Sequence, residues 1–315
     1  MATVETVLGP IKAEQLGFTL SHEHVLTSSA GIAHTYPELL GDMAANLREA
    51  AQELALTFAG GVRSIVDVTT LDLGRDVHFL ADASRGSGVQ IVCCTGIWRD
   101  IPRVLTSRSP DEIAALFVRE IEVGIEGSGI KAGVIKVAND AEGVTEAGER
   151  ILRAAARTSL RTGVPISTHS YAPGRVGEQQ WAIFREEGVP PEKVYIGHSN
   201  DTTDIEYLTG LLQQGLWLGL DRYPGGRSVG PGWEERTEAL ARLIKSGYAG
   251  QLMLGHDWSA VSGTNLQSEA QRRAYNPDSY LFISRKVLPR LLDLGVEDRE
   301  IRTMMVENPA RFLGR

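Results

Sequence analysis

The sequence predicts an α/β fold, a (β/α)8 TIM barrel formed by residues 1–315 as a single domain. Two observations predict it. Eight short β-rich segments recur along the 315-residue chain with helical patterns between them, and no linker or low-complexity segment interrupts them. Barrels of this kind commonly need about 250 residues. The main alternative is an open doubly wound sheet, whose dinucleotide-binding version is disfavoured because the predicted strands lack a Gly-x-Gly-x-x-Gly turn.

Each predicted strand is short and rich in apolar residues. The predicted strands cover residues 18–20 leading into His22, 64–69, 90–96, 133–137, 165–169, 193–198, 216–220 and 251–256. Apolar residues spaced three and four apart predict helices over residues 44–58, 111–125, 146–161, 177–187, 203–214, 233–246, 279–294 and 299–312. Alternation of this kind implies parallel strands joined by helical crossovers.

Composition excludes several classes of protein. Hydrophobic residues make up 42% and charged residues 23% of the chain, as in an ordinary globular enzyme. A formal net charge of −8 argues against a nucleic-acid or anionic-membrane surface. The sequence has neither an apolar run long enough to span a membrane nor a signal-peptide pattern. The two cysteines, Cys93 and Cys94, are adjacent and are interpreted as strand packing, so we expect a cytoplasmic protein.

Metal-ligand residue types stand at the ends of five predicted strands. The carboxyl ends of barrel strands converge on one face, where catalysis takes place, so these residues are expected to meet in space. They are His22 and His24 after the first strand, Lys136 in the fourth, His169 in the fifth, His198 in the sixth and Asp257 after the eighth.

Spacing and chemistry favour a metal centre. The period of two places His22 and His24 on one side of a strand. Four histidines, a carboxylate and a lysine suit two divalent ions, zinc above all, with cobalt, iron or manganese as alternatives. Lys136 would have to lose its charge or become a carbamate by adding carbon dioxide. A lone histidine or lysine at a strand end is more often structural, and His256, which strand alternation turns away from Asp257, is interpreted in that way.

Five segments of the chain carry the candidate ligands. They are, in order, Thr-Leu-Ser-His-Glu-His, Gly-Val-Ile-Lys, Ile-Ser-Thr-His, Ile-Gly-His-Ser-Asn-Asp and Gly-His-Asp-Trp. Together they resemble the phosphotriesterase and phosphotriesterase-like lactonase family of the amidohydrolase superfamily. The ending Val-Glu-Asn-Pro-Ala-Arg-Phe-Leu-Gly is also similar to that family's closing helix. The resemblance covers nearly the whole chain.

The resemblance implies a binuclear metal centre at the carboxyl ends of the strands, in a protein that is commonly a homodimer. It implies that Asp257 accepts a proton from the attacking hydroxide, and that a carbamate on Lys136 bridges the two ions. The more buried ion would be held by His22, His24 and Asp257, and the more exposed ion by His169 and His198.

Substrate residues are also implied by the resemblance. Arg222 stands where phosphotriesterases proper carry a histidine, and Asp-Arg followed by Tyr223 resembles the lactonase branch. Asp201 matches the outer carboxylate of the family's proton relay, or it pairs with Arg222 instead. Trp98 matches an aromatic position that lines the substrate pocket. Arg222 as a structural ion pair and Trp98 as loop packing are the alternatives.

The connection over residues 258–276, which includes Gly263 and Asn265, is long enough to predict a lid over the site, the alternative being a surface insertion. Arg99 and Arg103 are interpreted as solvated surface charges.

These observations predict a binuclear metal-dependent lactonase. The expected substrate is an N-acyl-homoserine lactone, consistent with a quorum-quenching role, or a related lactone, with weak phosphotriesterase activity as a side reaction. One alternative is a phosphotriesterase (aryldialkylphosphatase) or another carboxylic-ester or amide hydrolase. Another is a metal-binding barrel without catalysis. We expect neither a nucleic-acid partner nor a membrane partner.

Overall fold

The computed structural model describes residues 2–226, 230–263 and 268–315. Eight parallel strands follow one another around the sheet in the order of the sequence, after an antiparallel hairpin at the start of the chain. The hairpin is β1 (Thr3–Thr6) and β2 (Gly9–Lys12). The parallel strands are β3 (Thr19–Thr27), β4 (Ser64–Asp67), β5 (Gln90–Ile97), β6 (Val134–Ala138), β7 (Ile166–His169), β8 (Val194–Ile196), β9 (Trp217–Leu220) and β10 (Leu252–Leu254).

The sheet closes on itself between its last and first strands. A further strand, β11 (Ser259–Ser262), continues from β10 and pairs in parallel with β3. The segment that joins β10 to β11 is also bonded to β3: Asp257 N–H donates to His22 O at 3.1 Å, and His24 N–H donates to Trp258 O at 2.8 Å. The predicted (β/α)8 barrel is therefore confirmed, and the open doubly wound sheet is wrong.

Helices cover the outside of the barrel. They are α1 (Ile32–Thr35), α2 (Met43–Ala59), α3 (Val77–Ser87), α4 (Pro110–Glu122), α5 (Glu146–Thr162), α6 (Val176–Glu186), α7 (Ile205–Gln213), α8 (Trp233–Leu243), α9 (Glu269–Tyr275), α10 (Leu288–Asp293), α11 (Asp298–Arg302) and α12 (Asn308–Leu313). The two long helices predicted near the end of the chain are each interrupted by a π-helical turn, Ile283–Val287 and Thr303–Glu307.

Sequence periodicity did not predict the whole of α3. The helix begins after Asp76, whose side chain accepts hydrogen bonds from His78 N–H and Phe79 N–H. Much of its buried face consists of alanine and serine rather than large apolar residues. A periodicity argument weighs large apolar residues, so a face of small residues gives it little to detect.

Apolar side chains fill the end of the barrel interior that lies opposite the carboxyl ends of the strands. Val66, Val134, Tyr195, Trp217 and Met253 belong to one buried cluster there, which also includes residues of α12. Both cysteines are buried and free, as the interpretation of strand packing expected, and burial raises the pKa of the Cys93 thiol to about 12. The interior is therefore packed with apolar side chains at this end, and polar residues occupy the opposite end, where the strands finish.

No helix within residues 2–226, 230–263 and 268–315 is long and apolar enough to cross a membrane.

Tyr280→Phe tests the closure of the barrel. The buried Tyr280 hydroxyl donates to His24 O on β3 and accepts from Ala260 N–H on β11 at 3.1 Å. Removing the hydroxyl leaves two buried backbone groups without this hydrogen-bond partner. We therefore expect the free energy of unfolding to fall by about 1–3 kcal/mol, measured as a lower urea midpoint. Tyr36→Phe, at a side chain that is 52% exposed, is the control. Equal midpoints for the two variants would contradict the prediction.

Candidate metal centre

Four of the six predicted ligands lie in direct contact at the mouth of the barrel. His22 Nε2 lies 3.3 Å from Lys136 Nζ and 3.5 Å from Asp257 Oδ1. His24 Nε2 lies 3.1 Å from the same Asp257 oxygen. These residues come from β3, from β6 and from the segment after β10, so the closed barrel brings together groups that are far apart in sequence.

The remaining two predicted ligands complete the cluster. The ring centroids of His169 and His198 are 4.5 Å apart, and those of His198 and His22 are 4.7 Å apart. His198 Nε2 lies 3.9 Å from Asp257 Oδ2. All six side chains thus surround one small region, with the His169–His198 pair beside the group that contains His22, His24 and Asp257.

A buried carboxylate that the sequence analysis did not identify orients two of these histidines. Asp221 follows β9 and has no exposed surface. Its Oδ2 lies 2.8 Å from His22 Nδ1 and accepts from the Tyr195 hydroxyl at 2.8 Å. Its Oδ1 lies 3.0 Å from His198 Nδ1 and accepts from His198 N–H at 2.7 Å. The signal was present in the sequence, because Asp221 directly follows a predicted strand, as the predicted ligands do.

Hydrogen bonding at Nδ1 leaves Nε2 as the ligand atom. A histidine that donates its Nδ1 proton to a carboxylate keeps an unprotonated Nε2. Burial opposes the charge on Asp221, but His22 and His198 hold the pKa of Asp221 well below its usual value. His24 has a comparable partner, since its Nδ1 lies 2.8 Å from Thr69 Oγ1. The three imidazoles therefore turn Nε2 away from these partners.

The donor set fits a divalent cation. Within the described residues, one atom each from His22, His24 and Asp257 lies within 4.8 Å of the others, a grouping that could hold an ion. His22, His198 and Asp221 form a second grouping of the same kind. We assign Asp221 to orientation rather than ligation, because its two oxygens already accept four hydrogen bonds.

Burial favours the neutral forms of the basic groups in the cluster. It lowers the pKa of His169 to about 4 and the pKa of Lys136 to about 8. It also lowers the pKa of His22 and, well below the usual value, that of His198. Neutral imidazole binds metals, and a neutral amine is the form that can add carbon dioxide.

An arginine lies against the Asp257 carboxylate. Arg222 Nε donates to Asp257 Oδ2 at 3.1 Å, and Arg222 Nη1 donates to Asp201 Oδ2 at 2.6 Å. The other Asp201 oxygen lies 2.9 Å from Nη1 of the buried Arg236. Burial lowers the pKa of Arg222, but Asp257 and Asp201 outweigh that effect and raise it overall. Asp201 thus pairs with Arg222, one of the two arrangements that the sequence analysis left open.

Trp98 lies at the edge of the cluster. Its indole Nε1–H donates to His169 Nδ1 at 3.4 Å, and Asp140 Oδ2 lies 3.6 Å from His169 Nε2 on the other side. Arg99 bonds to Asp140 and also lies over the Trp98 ring at 5.4 Å. Arg99 is exposed, as expected of a surface charge, and it is also paired with a carboxylate beside a candidate ligand.

The other predicted substrate features remain predictions. Tyr223 is only 1% exposed and belongs to the larger of the two buried hydrophobic clusters. The lid predicted over residues 258–276 includes β11 and α9, but Asn265 lies outside the described residues. In the described part of that connection, Tyr275 hydroxyl donates to Gly225 O at 2.8 Å. The connection therefore contacts the segment that follows Arg222.

The barrel and its cluster define a protein with a candidate metal centre on the face where barrel enzymes carry out catalysis. The phosphotriesterase family model matches residues 2–313, and the chain belongs to that family. A phosphotriesterase homology protein from Mycobacterium tuberculosis is 39% identical, covering 100% of this chain and 98% of the relative. A solved structure, the phosphotriesterase from that organism, has a TM-score of 0.93 at 38% identity, covering 99% of this chain and 98% of the other.

Two further relatives bear names that state an activity. An aryldialkylphosphatase from Saccharolobus solfataricus is 37% identical, covering 96% of each chain. An N-acetyltaurine hydrolase from Tetraodon nigroviridis is 27% identical, covering 98% of this chain and 97% of the relative. Both names describe hydrolases, so the chain belongs to a family of hydrolases.

Asp221→Asn tests the orientation of the histidines. The substituted amide nitrogen cannot accept hydrogen bonds, so one side of the four-bond arrangement is lost while the size is kept. We expect affinity for zinc to fall about 10–100-fold, measured by competition with a chelator. Asp204→Asn, at the carboxylate that caps α7, is the control. Unchanged zinc affinity in folded Asp221→Asn protein would exclude the orienting role.

Proposed function

We propose that this protein is a binuclear metal-dependent lactonase that opens N-acyl-homoserine lactones or related lactones. The observation that carries the proposal is Arg222, which lies between Asp257 and Asp201 where a proton relay would need a titratable group. An arginine side chain stays protonated, so it cannot accept a proton from Asp257 and pass it to Asp201. The favoured substrate is therefore one whose hydrolysis consumes the proton inside the site.

The ligand assignment follows the two parts of the cluster. His22, His24 and Asp257 would hold the more buried ion, and His169 and His198 the more exposed one. Lys136 lies beside His22 and would serve as a carbamate ligand between the ions. When bound, two such ions lower the pKa of a water molecule and polarise the oxygen of the substrate.

Lactone opening uses the proton without an outward relay. Asp257 accepts a proton from the attacking water, whose oxygen bonds to the lactone carbonyl carbon. The ring carbon–oxygen bond then breaks, and Asp257 returns the proton to the departing alkoxide. An alkoxide is a strong base and requires that proton. The nitrophenolate of an activated aryl triester leaves without one, so Asp257 would have to lose its proton to solvent in every cycle.

Weak phosphotriesterase activity is the expected side reaction. The tetrahedral carbon formed when a lactone is attacked resembles the tetrahedral phosphorus of an intact triester, so one site can act on both. The similarity to a protein named aryldialkylphosphatase supports including triesters among the substrates.

A substrate panel tests the main proposal. Release of acid from γ- and δ-lactones with acyl chains of several lengths is titrated, and hydrolysis of paraoxon is followed by absorbance. We expect kcat/KM for the best lactone to exceed that for paraoxon at least about tenfold, which corresponds to about 1.4 kcal/mol of transition-state stabilisation. Faster turnover of the triester than of every lactone would refute the proposal in favour of a phosphotriesterase.

Lys136→Ala tests the carbamate. Substituting a residue that only supports a metal ligand already lowers metal affinity or activity by about 10–100-fold. Losing a bridging ligand should therefore lower the metal content and reduce turnover more than about a hundredfold. A short carboxylate such as propionate should restore part of both. Metal content is measured by elemental analysis beside wild type. Full activity without added carboxylate would exclude the bridge.

Wild-type protein that holds less than one ion per chain and stays inactive with added zinc, cobalt or manganese would instead indicate a barrel without this catalysis.

A further inference from the structure

Asp257 has a backbone conformation that few non-glycine residues adopt. Its φ angle is +55°, in the left-handed region. Aspartate enters this region more readily than most residues, but the conformation still costs free energy because the Cβ atom comes close to the following carbonyl oxygen. Such a conformation persists only where surrounding contacts hold it.

One buried carboxylate holds the backbone on both sides of Asp257. Glu23 Oε1 accepts from His256 N–H at 2.9 Å, and Glu23 Oε2 accepts from Trp258 N–H at 3.1 Å. The N–H of Asp257 itself donates to His22 O at 3.1 Å. Three consecutive amides are therefore bound to two neighbouring residues of β3, which places the aspartate segment directly against the strand that carries His22 and His24.

His256 holds the Glu23 carboxylate in place. His256 Nδ1 lies 2.7 Å from Glu23 Oε1, and His256 Nε2 accepts from Ile283 N–H at 3.1 Å. Because Nε2 accepts a hydrogen bond, the ring proton lies on Nδ1 and is donated to Glu23. Glu23 has no exposed surface and His256 is 3% exposed. The interpretation of His256 as structural is confirmed, since both ring nitrogens are engaged outside the cluster.

His198 shows the same arrangement at a second candidate ligand. Its φ angle is +59°, and its N–H donates to the buried Asp221 at 2.7 Å. Each left-handed residue of the cluster thus has a buried carboxylate bonded to its own amide or to the adjoining amides. Asp221 also touches the ring of His198, whereas Glu23 is bonded to the amides on either side of Asp257.

We propose that Glu23 is a positioning residue for Asp257. By binding the amides of His256 and Trp258, it keeps Asp257 in the left-handed conformation that brings its carboxylate to His24 Nε2. The proposal rests on the proposed role of Asp257 as a metal ligand. It assigns a separate task to the residue between the two histidines of His-Glu-His: the histidines bind the ion, and the glutamate sets the position of the third ligand.

Glu23→Gln is the test variant. Glutamine keeps the size of the side chain, but its amide nitrogen cannot accept the hydrogen bond that one carboxylate oxygen accepts. We expect at least a tenfold loss of affinity for one of two zinc ions, measured by chelator competition, while the other ion binds as in wild type. Glu53→Gln is the matched control: this buried carboxylate accepts from the indole of Trp258 but binds neither flanking amide, so both ions should bind normally.

A double variant shows whether Glu23 acts through Asp257. Asp257→Ala removes the proposed ligand, so Glu23→Gln should cause no further loss of zinc affinity in that background. An equal loss in both backgrounds would mean that Glu23 acts on the barrel in general, and the proposal would be overturned. Should Glu23→Gln fail to fold, Glu23→Asp keeps the charge, and its zinc affinity should lie between those of wild type and Asp257→Ala.

A crystal structure of metal-free Glu23→Gln protein tests the inference apart from the proposed function. We expect Asp257 to leave the left-handed region and its carboxylate to move away from His24. An unchanged Asp257 in this variant would overturn the positioning role whatever metals the protein binds. Conversely, wild-type protein without affinity for zinc, cobalt or manganese, combined with a displaced Asp257 in the variant, would refute the metal centre and leave the positioning role intact.

Discussion

The geometry of the candidate centre depends on the buried carboxylate of Asp221. Its two oxygens accept four hydrogen bonds, from His22, from Tyr195 and from both the ring and the backbone of His198. A charge with no exposed surface is costly unless its partners satisfy it fully, and here they do. Asp221, which follows β9, thus joins a residue of β3 to residues of β8 and the turn after it, and it determines which ring nitrogen each of the two histidines presents.

Two further buried carboxylates accept hydrogen bonds from groups around the cluster. Glu23 binds the amides beside Asp257, and the buried Asp67 accepts from Val25 N–H at 2.7 Å and from Thr69 N–H at 2.9 Å. Thr69 in turn contacts the ring of His24. These carboxylates reach the cluster through backbone amides or through Thr69, and they thus hold its residues in position in advance. Preorganisation matters because groups that are already oriented need little rearrangement when an ion or substrate binds.

Arg222 changes what the centre can do chemically. It connects Asp257 to Asp201, and Arg236 fixes the far side of Asp201. The resulting row of alternating charges is suited to hold Asp257 ionised, but its permanent cation blocks proton transfer outward. In the function that we propose, a proton taken up by Asp257 is therefore returned to the substrate, and this return would distinguish lactone opening from the hydrolysis of an aryl triester.

The sequence alone determined the barrel and the candidate ligands, because strand and helix periodicity, and the residue types at strand ends, are local properties. Its periodicity did not predict the whole of α3, whose buried face is largely small residues, or β11, which pairs in parallel with β3. Only the tertiary structure decided the partners. Asp221 is 199 residues from His22, and Glu23 is 233 residues from His256. Such hydrogen bonds form only when the barrel closes, and they orient His22 and hold the backbone that carries Asp257.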